Sequence, residues 1–117
     1  MKLAVIGSRK LKNIRIDAYI SEEVSEIVSG GAVGVDSSAA EYAKEAGLKL
    51  TEFLPDYERY GRGAPIVRNK TIVDYADKVI AFWDGESRGT LSVIKYAEKC
   101  KKPCDIVILK AKDGYSE

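Results

Sequence analysis

The sequence contains no histidine and only two cysteines among its 117 residues. Without histidine, the chain has neither the residue pattern of a zinc site nor a Cys-His nucleophile, so that no metal and no cofactor is predicted. The two cysteines, Cys100 and Cys104, lie on either side of a Lys-Lys-Pro segment. We expect both to be buried or half-buried free thiols in a reducing compartment.

A strong charge of one sign and a long apolar run are also missing. Nineteen basic residues balance eighteen acidic ones, which leaves a net charge of +1, so any attraction for phosphate must be local. No apolar run approaches the roughly 18 residues of a membrane span, and the apolar start of the chain is too short for a signal peptide. These absences predict a cytoplasmic protein without membrane association.

The residues that are present suffice for one domain. With a hydrophobic fraction of 45%, residues 1–117 can bury a single core, and a polar tail is expected from about Lys112. Apolar runs alternate with helix-like segments, which predicts a Rossmann-like, doubly wound parallel α/β sheet of about five strands in three α/β/α layers. The predicted strands are Leu3–Ile6 at the centre, Glu26–Ser29, Lys49–Leu54, Lys78–Trp83 and Asp105–Leu109; the predicted helices are 14–24, 36–46, 66–75 and 89–102, and 56–65 is the one long loop.

Three glycine-bearing turns each follow one of these apolar runs. In an open parallel sheet such turns leave the carboxyl ends of the strands and converge on one crevice, and a turn that leads into a helix offers backbone N–H groups to an anion. Tight turns also need glycine for steric reasons alone. The candidate ligand-binding residues on the turns are Gly7, Ser8 and Arg9, then Gly30, Gly31, Ala32, Gly34 and Asp36, and finally Asp84, Ser87, Gly89 and Thr90.

The polar residues of these turns each have two interpretations. Arg9 either meets a phosphate or is an ordinary surface arginine. Asp36 either binds a ribose hydroxyl or caps the backbone of its helix. Ser87 and Thr90 either form a phosphate cup or serve the helix, with one of them as its N-cap.

A further candidate pair, Arg68 and Asn69, follows the long loop. Arginine binds phosphate or carboxylate in a bidentate manner, and asparagine both donates and accepts hydrogen bonds; the alternative is a solvated helix face. The aromatic residues of the loop either stack a base or pin the loop to the core. These residues and the nearby cations are Tyr57, Tyr60, Arg59, Arg62 and Lys70.

Taken in order, these segments resemble the motif series of the SLOG superfamily. The similarity runs from about Lys2 to Leu109 and is carried by 28–36, by Arg68 and Asn69, by 77–80 and by 87–90. The superfamily includes the core of the DNA-processing protein DprA, the LOG phosphoribohydrolases and small stand-alone YspA/YpsA-like proteins. The resemblance implies a nucleotide or nucleotide-derived ligand held by the glycine turns and by the region around Arg68.

The resemblance also bears on catalysis. LOG enzymes carry a glutamate three residues after their Gly-Thr pair, together with an arginine that Arg68 matches, but Val93 stands at the glutamate position. We therefore expect a nucleotide-binding protein of the sensor or processing type, without catalysis of its own. One alternative is a nucleotide-cleaving hydrolase with a substitute carboxylate from Asp36, Asp74, Asp84 or Glu86. Another is a DprA-like module for single-stranded DNA, which is less expected because the chain lacks a continuous basic stripe.

Self-association is a last expectation, drawn partly from related proteins and partly from the residues. Apolar side chains on the long loop and on the helix after Gly89 exceed what a sheet covered on both faces needs, and two-fold pairing is the commonest way to bury such a patch. The alternative is that they cover the sheet edges of a monomer. The residues in question are Tyr57, Tyr60, Ile66, Val93 and Tyr96.

Overall fold

The apolar runs form five strands of one parallel sheet. A computed structural model describes residues 1–110 and gives the strand order β3-β2-β1-β4-β5, with every neighbouring pair parallel. The strands are β1 (Lys2–Gly7), β2 (Glu26–Ser29), β3 (Lys49–Glu52), β4 (Lys78–Trp83) and β5 (Cys104–Ile108). This confirms the predicted fold class, with β1 at the centre, where the strand order reverses between β1 and β4.

The helices cover both faces of the sheet and make it a three-layer structure. They are α1 (Val35–Ala46), the single turn α2 (Tyr57–Tyr60), α3 (Ala64–Tyr75) and α4 (Arg88–Lys99). One apolar core lies between the sheet and α1, around Val5, Ile27 and Phe82. The other lies under α3 and α4, around Ile72 and Val79. No helix within residues 1–110 has the length and hydropathy that crossing a bilayer requires.

One predicted helix is wrong. The segment 14–24 contains only a 3₁₀ turn, Asp17–Tyr19, because its apolar residues do not repeat at helical spacing. Ile16 and Val24 instead pack separately into the core between the sheet and α1. The N–H of Ile14 donates to Ser38 Oγ on α1 at 3.3 Å. The segment is therefore held by tertiary contacts rather than by a helical ladder.

The region predicted as one long loop is more regular than expected. It contains α2, a 3₁₀ turn at Gly61–Gly63, and the start of α3. Asp56 caps α2 by accepting from the N–H of Arg59 at 3.2 Å. Pro65 sits at the start of α3, where its missing N–H is not needed.

Two expectations about α4 and its neighbourhood also need correction. The buried side of α4 carries Thr90, Val93, Ile94 and Ala97, so Val93, with 3% of its surface exposed, belongs to the core and not to an outer patch. Of the two free thiols, Cys104 is half-buried as expected, whereas Cys100 is exposed. The predicted polar tail from Lys112 lies outside the described residues.

Candidate functional site

A cavity of about 420 Å³ lies at the carboxyl edge of the sheet, beside the point where the strand order reverses. Open α/β sheets bind ligands at such a point. Most of the turn residues singled out in the sequence line it, together with Arg68 and Asn69 on α3. The lining residues from that set are Gly7, Arg9, Gly30, Gly31, Ala32, Asp36, Arg68, Asn69, Ser87, Gly89 and Thr90.

Ser8 and Asp84 lie behind this lining and hold two of the turns together. Ser8 is buried, and its Oγ accepts from the N–H of Asp84 at 3.2 Å. The Asp84 carboxylate accepts from the N–H groups of Glu86 and Ser87 at 2.9 and 2.8 Å. These backbone hydrogen bonds hold the pKa of Asp84 below its ordinary value, as expected of a carboxylate that closes a turn.

Gly34 also lies behind the lining, and it is needed for a close approach of two turns. Its φ is +80°, and a Cβ at this position would lie 2.6 Å from the carbonyl oxygen of Arg9. Any other residue would push the turn after β1 away from the start of α1. Gly34 therefore sets the position of Arg9 at the cavity and is not itself one of the described lining residues.

The start of α4 forms one wall of the cavity. Ser87 is the N-cap, because its Oγ accepts from the N–H of Thr90 at 3.2 Å, and it donates its own proton to Thr90 Oγ1 at 3.1 Å. The N-cap interpretation of Ser87 is thus confirmed. The helix leaves the first-turn N–H groups of Arg88 and Gly89 without a helical acceptor, and no hydrogen bond within residues 1–110 uses them. They are donors for an anion, favoured by the dipole of the helix.

The turn between β2 and α1 is less open to a ligand than its glycines suggest. Asp36 Oδ2 accepts from the N–H of Ala32 at 3.1 Å, and Ser29 Oγ accepts from the N–H of Gly31 at 3.4 Å. Two amides predicted to face an anion thus already have partners within the chain. Asp36 therefore bonds the backbone of the turn before α1 and does not cap its helix, whose N-cap is Gly34 without a side-chain hydrogen bond.

Asp36 is a buried acidic group of the cavity. Only 8% of the residue is exposed, and loss of hydration raises the pKa of its carboxyl, against the opposing effects of the Ala32 N–H and the nearby Arg68 guanidinium. No hydrogen bond among the described residues engages Oδ1, and no buried side-chain oxygen there lacks a partner. Asp36 lines the cavity, and Oδ1 is the carboxylate oxygen that can accept from a ligand hydroxyl there.

Arg68 connects the ends of two strands, which the sequence did not reveal. Its Nη1 donates to the carbonyl oxygens of Gly30, at 2.8 Å, and Phe53, at 3.4 Å. Its Nε donates to Asn69 Oδ1 at 2.8 Å. Most of the guanidinium is thereby occupied, and Nη2 is the nitrogen without a partner in the described part of the chain.

Sequence reasoning missed the apolar part of the cavity lining. Apart from Tyr57, which was considered as a stacking residue, these residues were not singled out as ligand contacts. Leu54 and Pro55 could have been found, because they follow β3 directly and so leave the same edge of the sheet. This apolar wall consists of Leu54, Pro55, Tyr57, Pro65, Ile72 and Val93.

The geometry shows which of the carboxylates proposed as substitutes for the missing glutamate line the cavity. Val93 lines the cavity at the glutamate position of the LOG pattern, and Asp36 is the single carboxylate among the described lining residues. Asp84 and Glu86 lie outside the lining. Asp74 is on the exposed side of α3, where it accepts from the Tyr96 hydroxyl at 2.9 Å.

A second cleft, of about 460 Å³, lies between the segment 13–17 and α1. Its polar lining is made of exposed side chains such as Glu41 and Glu45. No group of three or more potential metal-ligating side chains occurs within residues 1–110. The cavity at the carboxyl edge is therefore the better candidate for a ligand.

Comparison of the chain with protein-family models, with curated proteins and with solved structures gives no match.

Proposed function

We propose that this protein binds a nucleotide or nucleotide-derived ligand in the cavity at the carboxyl edge of its sheet. The observation that carries the proposal is the meeting of three kinds of group around one space. These are the free N–H groups at the start of α4, the Asp36 carboxylate and an apolar wall. Membership of the SLOG superfamily is part of the same proposal and is supported by the motif series.

Each part of a nucleotide has a matching part of the cavity. A phosphate fits the free N–H group of Gly89, which lines the cavity, with the Arg9 side chain supplying the positive charge. Asp36 Oδ1 suits a ribose hydroxyl, which donates to a carboxylate. A planar base fits against Leu54 and Tyr57, where stacking and apolar contact do not depend on base identity.

The test compares ligand-induced stabilisation of the protein with that of two arginine variants. Adenine nucleotides, guanine nucleotides and ADP-ribose are added in a thermal unfolding experiment. A ligand at 100 times its Kd stabilises the native state by about 2.7 kcal/mol, and the melting temperature rises accordingly. Arg9→Ala should lose most of this shift. Arg15→Ala, which removes an exposed arginine outside the cavity, should keep it.

Two results would contradict the proposal. The first is that none of these nucleotides stabilises the protein. The second is a nucleotide whose effect is equal in both arginine variants, because binding would then lie elsewhere on the molecule.

A nucleotide-cleaving hydrolase is the second candidate, and Asp36 is the observation in its favour. The carboxyl has a raised pKa and an oxygen open to the cavity, as a general acid requires. The same samples, incubated with nucleoside monophosphates, are therefore analysed by chromatography for free base. Base release that disappears in Asp36→Asn would replace the binding-only proposal with the hydrolase.

Binding of single-stranded DNA and a cytoplasmic location stay predictions, as does the homodimer. The contact surface first expected for a dimer needs revision, because Val93 is buried and Tyr57 lines the cavity. A partner seated on Tyr57 would cover part of the cavity lining. A dimer compatible with ligand access requires another surface.

A further inference from the structure

The outer side of β5 presents backbone groups that have no partner strand within residues 1–110. The carbonyl oxygen of Pro103 accepts from the N–H of Val79, and the N–H of Leu109 donates to the carbonyl oxygen of Trp83, both at 2.9 Å. Backbone groups of alternate residues point to opposite sides of a strand. Those of Cys104, Ile106 and Ile108 therefore point away from β4, where the sheet within residues 1–110 ends.

The side chains of the same strand are unusually apolar for an edge. Ile106 and Ile108 are 48% and 65% exposed, and both lie on the sheet face covered by α4, since they pair with Ala81 and Trp83 of β4. An exposed apolar edge strand is a site for pairing with another strand.

The opposite edge of the sheet is built differently. Its strand, β3, has the sequence Lys-Leu-Thr-Glu, and charged side chains on an edge discourage pairing. In β5 the one charged residue is Asp105, whose carboxylate is already bonded to Lys78 Nζ at 2.9 Å on the neighbouring strand. The two edges thus differ in the property that decides whether a strand can be added.

We propose that β5 pairs with β5 of a second copy of the chain, antiparallel and about a two-fold axis at Val107. In this register Ile106 lies opposite Ile108 of the other copy, and the same contact occurs twice, as two-fold symmetry requires. The outward backbone groups of these residues bond each other, and both copies keep α4 on the same face of the joined sheet.

The partner is a second copy because β5 is complementary to itself in every respect that the edge demands. In the antiparallel pair, the outward backbone groups of one β5 meet those of the other, and the apolar side chains of both strands lie on the same face of the joined sheet. Asp105 is already paired with Lys78 and needs no opposite charge from the second copy. The cavity stays open in such a dimer, since β5 contributes none of its lining residues.

The first test is the solution mass of two lysine variants, measured by light scattering at micromolar concentration. The unmodified protein should have the mass of two chains. Ile108→Lys should have the mass of one chain, with an unchanged circular dichroism spectrum, because each copy would then place a charged lysine against Ile106 of the other. Leu50→Lys, which places the same charge on β3 at a residue 37% exposed, should remain a dimer. A monomeric unmodified protein, or a dimer that survives Ile108→Lys, would overturn the proposal.

The second test determines the register with a disulfide. Val107 would face its own copy as a non-hydrogen-bonded pair, with Cα atoms about 4.5 Å apart, which is within the range that a disulfide spans. Val107→Cys in a background of Cys100→Ser and Cys104→Ser should therefore form a cross-linked dimer under mild oxidation. Val33→Cys, exposed on the turn before α1, should not. Equal cross-linking of both variants, or none at position 107, contradicts pairing about Val107.

Discussion

At the scale of single residues, Asp36 lowers the stability of the native state but offers an acceptor to a ligand. Its carboxylate is buried among the turns and accepts from the N–H of Ala32, yet its other oxygen has no partner within residues 1–110. Burial disfavours the charged form more than these contacts favour it, and the pKa is raised. A group placed in this way is typical of a functional site rather than of a structural ion pair.

The raised pKa predicts a pH-dependent effect of Asp36→Asn. Because the folded-state pKa lies above the unfolded one, the ionised carboxylate lowers the stability of the native state at neutral pH, and this cost disappears as the pH falls through the folded pKa. The asparagine side chain keeps an acceptor for the N–H of Ala32 without the charge. The variant should therefore melt at a higher temperature than the unmodified protein at pH 7, with a difference that shrinks towards pH 4. A variant that is less stable at pH 7 would show that the charge is stabilising.

At the scale of elements, the amino edge of the sheet is held by a buried carboxylate far from the cavity. Glu26 at the start of β2 accepts from Thr51 Oγ1 of β3 at 2.7 Å and from the Tyr75 hydroxyl of α3 at 2.6 Å. These hydrogen bonds, that of Thr51 above all, lower the pKa of Glu26. One side chain thus joins two strands and a helix, which explains why a charged residue occupies a buried position.

Thr51→Val removes one of these hydrogen bonds and keeps the shape of the side chain. We expect a loss of about 1.5 kcal/mol in the free energy of unfolding at pH 7, as for a hydrogen bond to a charged group. Because the folded-state pKa of Glu26 lies below its unfolded-state pKa, the ionised carboxylate stabilises the fold at a pH above the unfolded-state pKa. This contribution is lost as the pH falls through the folded-state pKa, so the difference in unfolding free energy between the two proteins should vanish in acid. Urea unfolding at several pH values measures it. Thr71→Val on the exposed side of α3 is the control, within about 0.5 kcal/mol of the unmodified protein; a loss independent of pH would refute the role of Glu26.

At the scale of the whole molecule, the proposed cavity and the proposed dimer edge use different strands. The cavity is built on the ends of β1, β2, β3 and β4 with the starts of α1, α3 and α4, whereas the edge belongs to β5. Contacts that are separated in this way contribute independently to stability. Ligand binding and assembly are therefore expected to be uncoupled.

This independence predicts that monomeric Ile108→Lys binds its nucleotide normally. The ligand-induced rise in melting temperature, measured at equal ligand concentration, should match that of the dimer within error. Arg9→Ala should show the reverse pattern, with an intact dimer and a reduced ligand effect. If monomer formation abolishes the ligand effect, a residue of the second copy must complete the cavity.

The sequence by itself determined the strands, their parallel arrangement and the edge at which polar turns gather. Continuous apolar runs that end at glycine, as at Leu3–Ile6, are local signals, and parallel topology brings the following turns together whatever their side chains do. The helix starts at Asp36 and Ser87 were readable for the same reason. None of these inferences required knowledge of which residues touch.

Only the tertiary structure decided the parts that depend on contacts between distant segments. The region around Ile16 is irregular because its residues fill gaps in the core of α1 separately, and no local pattern encodes such a fit. The sequence left open whether Arg68 contacts a ligand or lies on a solvated helix face, and it did not indicate that the carbonyl oxygens of Gly30 and Phe53 accept from its guanidinium. The face of α4 that buries Val93 and the outward backbone groups of β5 depend likewise on the positions of neighbouring elements, which hydrophobic periodicity within one segment does not specify.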